Sequence, residues 1–415
     1  MPEPARQQNW YSRIYAQGVT SLRYRDFRLV WLGSLSEHMG EWMELAGFIW
    51  LARQLTDSPL LITLIGAARF AAMVFVPFVG GMVADRVNRR SLLIASLVFM
   101  AGLSIALLLL VYTGVIAIWH MFAIGFLLGV ATSFNHPARQ SIVPNLVKRE
   151  HLFNAISLDT TSVMGSMVIG FPIAGEIIDR MGVTTPLFGL RAAGALLAIG
   201  WLLFVKTDLK PRGEKHHPVQ DLMEGFRYLR RNTPILVLVC LFFIPMAGQR
   251  AFMDLLSVFA RDVLQVGGRE YGWLYTASGL GALISLLALA PLGDYRHKGW
   301  LLFSVGLVAG LAQAAYGASQ WLWPSIALVT IMGGTRTAFM TVNTTMIQSN
   351  IPDNVRGRVM SLREIMMGLG PVGGITAGAI AQYASPAAAM EVIGIFFFFI
   401  ILILAIALPK IRSME

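Results

Sequence analysis

The chain has 415 residues, 56% of them hydrophobic and 13% charged, and its mean hydropathy of +0.63 excludes a soluble globular protein in favour of one that crosses a membrane repeatedly. A single cysteine, Cys240, excludes an internal disulfide and a cysteine-rich metal site. The net charge of +10 would suit a nucleic-acid partner only if topology did not already account for the bases.

Residues 1–26 are polar and contain arginine but no apolar core, so they are expected to be a cytoplasmic tail and not a cleavable signal. The first span, 27–52, is long enough to cross a bilayer yet carries Glu37, Glu41 and Glu44. At 100° per residue these lie within about 60° of one another and form one acidic stripe. A single charge at a helix centre costs about 2.5–3.5 kcal/mol on the most permissive scale, so the stripe should face protein or a water-filled cavity. Carboxylates one turn apart should also share at least one proton, with Glu41 the first candidate for coupling and Glu37 and Glu44 tuning it.

Further apolar spans follow at 59–83, 91–114, 117–139, 151–179, 186–206, 234–260, 270–293, 299–318, 321–347, 357–383 and 386–409, making twelve. An even number puts both termini on one side. Most of the 33 lysines and arginines then lie on that side, whereas Arg53, Arg180, Arg191, Arg261 and Arg269 lie near the other. The positive-inside rule makes the shared side the cytoplasm and explains the basic balance without nucleic acid. The expected fold is all-α integral membrane, with two six-helix bundles over 27–206 and 234–409, a cytoplasmic linker over 207–233 and a tail over 410–415.

The linker holds His216 and His217, which lack nearby partners for a metal site, and the segment Phe226–Arg231, which reads as a short amphipathic helix on the inner leaflet. An internal repeat supports the halving. Gln140-Ser141 with Pro144 recurs as Gln348-Ser349 with Pro352, and Ala174-Gly175 with Ile177 recurs as Ala377-Gly378 with Ile380, both in the same direction.

After span two comes a cluster of Gly81, Asp85, Arg86, Arg89 and Arg90, with a degenerate second copy at Asp294 and Arg296. Arginines in such a turn satisfy helix C-terminal carbonyls and lipid phosphates, and the cluster could be structural only. Together with the spans, the repeat and the linker, this string resembles the loop motif of the major facilitator superfamily, with Asn88 where glycine is usual. The segments 22–43, 55–64, 224–235 and 348–362 resemble its branch of enterobactin exporters and macrolide efflux proteins. That resemblance implies the major facilitator fold, export from the cytoplasm, and protons moving inward. It also implies that spans one, four, seven and ten line a central cavity. Gly170, Pro172 and Gly175 in span five, and Gly370, Pro371 and Gly374 in span eleven, are similar to the antiporter signature of drug-proton exchangers, although close packing alone would also explain them.

The remaining intramembrane charges are Arg69, Arg250, Asp254 and Arg336. On the superfamily's plan Arg250, Asp254 and Arg336 face the glutamate stripe across the cavity, with Asn343 deeper in. Arg250 and Asp254 could form only a structural ion pair, and Arg69 could neutralise one glutamate permanently. His38 lies about 100° off the stripe and reads as a packing residue or helix partner more than as a proton relay.

The expected function is a proton-coupled exporter of a small molecule (a drug, macrolide-like or siderophore-like) in a bacterial inner membrane. It would work as a monomer, with no cofactor beyond the proton motive force and with protons, substrate and lipid as partners. A lysophospholipid flippase or a solute importer of the same fold are alternatives. An ATP-driven pump or membrane enzyme is disfavoured because no GxxxxGK[ST], HExxH or GxSxG occurs.

Overall fold

A computed structural model of the chain describes residues 20–84, 88–207, 218–289, 295 and 297–414, with backbone alone at 73–84, 153, 218–222, 353 and 354. Every regular element among the described residues is helical. The first group comprises α1 (Arg25–Leu55), α2 (Pro59–Ala84), α3 (Arg89–Tyr112), α4 (Ile118–Leu146), α5 (Leu152–Met181) and α6 (Thr185–Leu203). After α7 (Pro218–Arg231) come α8 (Thr233–Leu241), α9 (Phe243–Val258), α10 (Gly268–Leu289), α11 (Lys298–Ala318) and α12 (Leu322–Ser349). The chain finishes with α13 (Asp353–Gly368), α14 (Pro371–Tyr383), α15 (Pro386–Ala407) and the short α16 (Pro409–Arg412).

Turn chemistry keeps the connections short. Ser58 caps α2 by accepting from the Leu61 amide at 3.2 Å, just before Pro59, and Ser385 caps α15 by accepting from Ala388 at 3.0 Å. α5 ends on Gly182 at φ +65°, a left-handed turn that a Cβ would strain.

Ten helical stretches among the described residues are long and apolar enough to cross a membrane, so the protein is a multi-pass membrane protein. α1 is too charged to join them, and the described side chains of α2 cover only a shorter apolar stretch, Pro59–Ala72. The predicted spans agree with the helices to within a few residues, with three exceptions. Span four continues to Leu146, because Ser141 and Asn145 bond carbonyls of their own helix (Ser141 to Ala138 at 2.7 Å, Asn145 to Ser141 at 3.2 Å) and so do not stop it. Spans seven and eleven are each broken in two, at Phe242 and at Leu369–Gly370. Pro245 and Pro371 lie just beyond the breaks, where the missing N–H removes a helical hydrogen bond.

α1 packs on α5 and α6, α2 on α4, and α3 on α4 and α6. In the second set α10 packs on α12, α11 on α12 and α15, and α14 on α9 and α15. The two sets meet along α5–α10 and α2–α14, and one apolar cluster that includes Phe48, Phe171, Phe259, Tyr271 and Tyr275 runs across the join. The basic segment expected on the inner leaflet belongs to α7. That helix lies against α13, with Leu229 buried, Phe226 exposed, and Glu224 paired with Arg358 at 2.6 Å. His216 and His217 lie outside the described residues. Cys240 is exposed.

Candidate functional site

The path of α1 decides where its glutamates go. Gly33, Gly40 and Gly47 recur every seven residues, so they form one smooth face, and α6 lies against it. A Cβ on Gly40 would stand 2.9 Å from the Cα of Arg191, and one on Gly194 would stand 2.5 Å from the Ser36 carbonyl. Only glycine lets the two backbones approach this closely.

Glu37 and Glu44 flank that glycine face and are therefore carried into the first set of helices, where they are 2% and 0% exposed. Three arginines from three other helices meet them. Arg191 of α6 donates to the Glu37 carbonyl at 3.0 Å and stands 3.7 Å from its carboxylate and 3.5 Å from that of Glu44. Arg139 of α4 pairs with the other oxygen of Glu37. Arg69 of α2 stands 3.6 Å from Glu44, which also accepts from the Ser104 hydroxyl at 2.8 Å.

This corrects two expectations. Glu37 and Glu44 do not face Arg250, Asp254 and Arg336 across a cavity, and the stripe does not have to share a proton to be tolerated, because three guanidinium charges offset it. Of these partners the sequence marks Arg69 alone as a candidate neutralising cation. Arg139 sits at the predicted end of span four, and Arg191, expected near the outer side, is 1% exposed.

Glu41 stands apart from the other two. Its side chain keeps 18% of its exposure, and its Oε2 lies 3.2 Å from Nδ1 of His38. The other ring nitrogen, Nε2, lies 3.1 Å from Nη1 of Arg139. A guanidinium can only donate, so Nε2 must hold a lone pair, and the ring is a neutral imidazole whose Nδ1–H points at Glu41. Arg139 continues the chain to Asn135 at 3.1 Å, and Asn135 continues it to Ser96 at 3.1 Å. His136, exposed on α4, is within electrostatic reach of Glu41.

On α9, Arg250 and Asp254 form an ion pair one turn apart. Asp254 is 1% exposed and wedged against α2 and α14: a Cβ on Gly66 or Gly374 would stand 2.6 Å or 2.5 Å from a carboxylate oxygen. The Arg250 guanidinium lies 4.0 Å above the Phe70 ring of α2, within cation–π range. The pair therefore sits in the join between the two sets of helices and not opposite the glutamates.

The glycine–proline segments are placed at packing contacts. Gly170 approaches the Met39 carbonyl of α1, Pro172 lies within α5, and a Cβ on Gly175 would stand 2.5 Å from the Gly268 carbonyl of α10. Gly370 lies against the Arg250 side chain, and Pro371 starts α14.

Polar contacts across the join gather at one end of the molecule. They include Arg53 to Asp262 at 2.8 Å, Ser58 to Gln382 at 2.7 Å, Arg269 to Glu176 at 2.8 Å, and the Tyr271 hydroxyl to the Ala46 carbonyl at 3.1 Å. Phe171 stacks on Tyr275 at 4.1 Å beside them.

Of the turn motif, Arg90 donates to the Val205 and Leu203 carbonyls at the end of α6, at 3.0 and 2.8 Å, and Arg89 donates to the Ser141 carbonyl at 2.8 Å. These arginines do cap helix carbonyls. Asp85, Arg86, Asp294 and Arg296 lie outside the described residues, and Gly81 is described only as helical backbone. Asn343 is fully buried and ties α12 to α8 by donating to the Leu238 carbonyl at 2.8 Å. Arg336 borders a cavity of about 50 Å³ inside the second set of helices.

Residues 16–415 match the transmembrane secretion effector family. The enterobactin exporter EntS of Shigella boydii serotype 18 is 26% identical over 354 residues, covering 85% of this chain and 83% of the relative, and that of Escherichia coli O1:K1 matches equally. Among solved structures, a POT family transporter in complex with 5-aminolevulinic acid superposes with a TM-score of 0.77 at 15% identity, over 93% of this chain and 96% of that one. The nucleoside transporter NupG does so with a TM-score of 0.71 at 16% identity, over 94% and 100%. At these identities the two structures speak for the fold alone.

Proposed function

Because the chain belongs to the transmembrane secretion effector family of the major facilitator superfamily, we propose that it is a secondary active transporter exporting a small molecule from the cytoplasm by proton antiport. On this reading twelve membrane helices form two six-helix bundles that rock about the join, in a bacterial inner membrane with both termini cytoplasmic. The protein acts as a monomer and draws on the proton motive force. The cargo is a drug-, macrolide- or siderophore-like molecule, a class suggested by relatives named as enterobactin exporters.

The observation that carries the reading is the join. The helix pairs α5–α10 and α2–α14 hold it closed at one end, Arg250 and Asp254 lie within it against α2 and α14, and a second charged device, Glu41 with His38, lies on α1 in the first set of helices. With cytoplasmic termini, the closed end is the outer one, and the arrangement is that of a transporter ready to load from inside. Opening the outer end separates Gly66 and Phe70 of α2 from Asp254 and Arg250 and admits water to them.

Proton coupling is assigned to Glu41. Glu37 and Glu44 are each held by two arginines, whereas Glu41 is partly exposed and, among the described residues, hydrogen-bonded to the neutral imidazole of His38 alone. Protonating Glu41 removes the charge that the His38 N–H addresses and leaves the Glu37 and Glu44 pairs intact. The test is gradient-driven accumulation in everted membrane vesicles of a panel of compounds: erythromycin, enterobactin and an organic cation. Accumulation that needs ATP and ignores the pH gradient contradicts the reading.

A further inference from the structure

Among the described residues, most charges deep in the membrane helices are matched by an opposite charge. In the first set the three carboxylates of Glu37, Glu41 and Glu44 are matched in number by the guanidiniums of Arg69, Arg139 and Arg191. In the second set Asp254 meets Arg250, and Arg363 meets Glu364 at 2.7 Å and caps the Phe242 ring. Arg336, in the middle of α12, breaks the pattern. Among the described residues it has neither an ion-pair nor a hydrogen-bond partner, and its Nε is buried and unsatisfied.

Its surroundings are donor-rich and unfinished. The cavity it borders, about 50 Å³, is lined also by Gln249, Gln313, Ser278, Phe252 and Phe397. Gln313 is 5% exposed, yet its Nε2 has no acceptor, and the Oε1 of Gln249 has no donor. Native interiors rarely leave such groups unpaired, and a cation at bilayer depth without a counter-charge marks a site that something else completes. The volume exceeds the roughly 30 Å³ share of one water and suits a carboxylate-sized group, with two phenylalanine faces for what is attached to it.

We propose that Arg336 and Gln313 form an anion-binding subsite, which takes the negatively charged head of a cargo molecule whose apolar or aromatic body lies against Phe252 and Phe397. This rests on the export reading only in calling the ligand a cargo. The chemistry recognised is an oxygen anion, carboxylate or phenolate, accepting from the guanidinium fork and the Gln313 amide. Export of a monoanion in exchange for protons moves net positive charge into the cell, so transport is electrogenic.

The test is equilibrium dialysis of purified protein against three naphthalene probes of one shape: 2-naphthoate, 2-naphthamide and 2-naphthylmethylammonium. The wild type is expected to hold the anion about tenfold or more tighter than the amide, and the cation least. Arg336→Met should bind the anion and the amide alike, Arg336→Lys should keep part of the preference, and Gln313→Leu should weaken the anion alone. The methionine variant should also melt at the wild-type temperature or above, since it removes an unpaired charge. A wild type without anion preference, including one that binds none of the three, overturns the assignment. So does a methionine variant that keeps the preference, or one that fails to fold, which would make Arg336 part of the scaffold. Dialysis involves no gradient, so failure of the export reading appears separately, as absence of gradient-driven accumulation by a protein whose anion preference is intact.

Discussion

Arg139 donates to His38 across 3.1 Å, and this contact fixes the imidazole as neutral with its Nδ1–H on Glu41. A glutamate addressed by a neutral donor can gain or lose a proton without unbalancing the arginine-held pairs beside it. Replacing His38 with Gln keeps one donor for Glu41 and one acceptor for Arg139, whereas replacing it with Leu removes both. His38→Gln is therefore expected to retain gradient-driven accumulation, and His38→Leu to lose it by about tenfold or more, as for removal of a positioned proton-transfer partner. Equal accumulation by the two variants would count against the hydrogen-bonded role.

Glu37 and Glu44 should behave as scaffold. Removing one member of a buried ion pair leaves the other uncompensated, at a cost of about 3–5 kcal/mol. Glu37→Gln and Glu44→Gln are expected to melt several degrees below the wild type in detergent, and Glu41→Gln within about a degree of it, since its carboxylate is partly solvated. A Glu44→Gln protein as stable as the wild type would contradict the pairing with Arg69 and Arg191.

The close crossing of α1 and α6 gives a second stability contrast. Gly194→Ala puts a methyl 2.5 Å from the Ser36 carbonyl and should cost about 1–3 kcal/mol through backbone displacement. Gly102→Ala, with nothing within 4 Å, should gain a few tenths of a kcal/mol from helix propensity, or about 1 at most. Thermal melts of the two proteins check the difference.

Most of the fold could be read from the sequence, because hydropathy and punctuation locate membrane spans directly. The direction of the acidic stripe could not. Counting along the chain puts Arg139 at a span end and Arg191 near the outer side, yet both reach carboxylates more than 100 residues away in sequence, through packing that periodicity does not encode. A usable signal was present: Gly33, Gly40 and Gly47 mark the close-approach face, and Glu37 and Glu44 border it. A glycine face of that period turns the stripe that borders it toward α6. The lone state of Arg336 is likewise a fact about neighbours, invisible until the neighbours are placed.

The closed end of the join offers a prediction about the cycle. Arg53 and Asp262 meet across it at 2.8 Å. Asp262→Arg should favour the outward-open arrangement by placing two cations together, and the double swap Arg53→Asp with Asp262→Arg should restore the balance. Accessibility of a cysteine introduced at Ser257 to a membrane-impermeant maleimide, in a Cys240→Ser background, reports the opening. Labelling should rise about tenfold in the single variant and fall back in the swap. Unchanged labelling in the single variant would remove this pair from the gate.

The most direct measurement of the central claim compares Glu41→Gln with the wild type in proteoliposomes, using a compound from the panel that the wild type accumulates. Two fluxes are read in each: accumulation driven by an imposed pH gradient, and exchange of labelled for unlabelled compound at equal pH. The account predicts that Glu41→Gln loses the first and keeps the second, with substrate-dependent alkalinisation of the acidic lumen abolished. A Glu41→Gln protein that still accumulates the compound and alkalinises the lumen would contradict it.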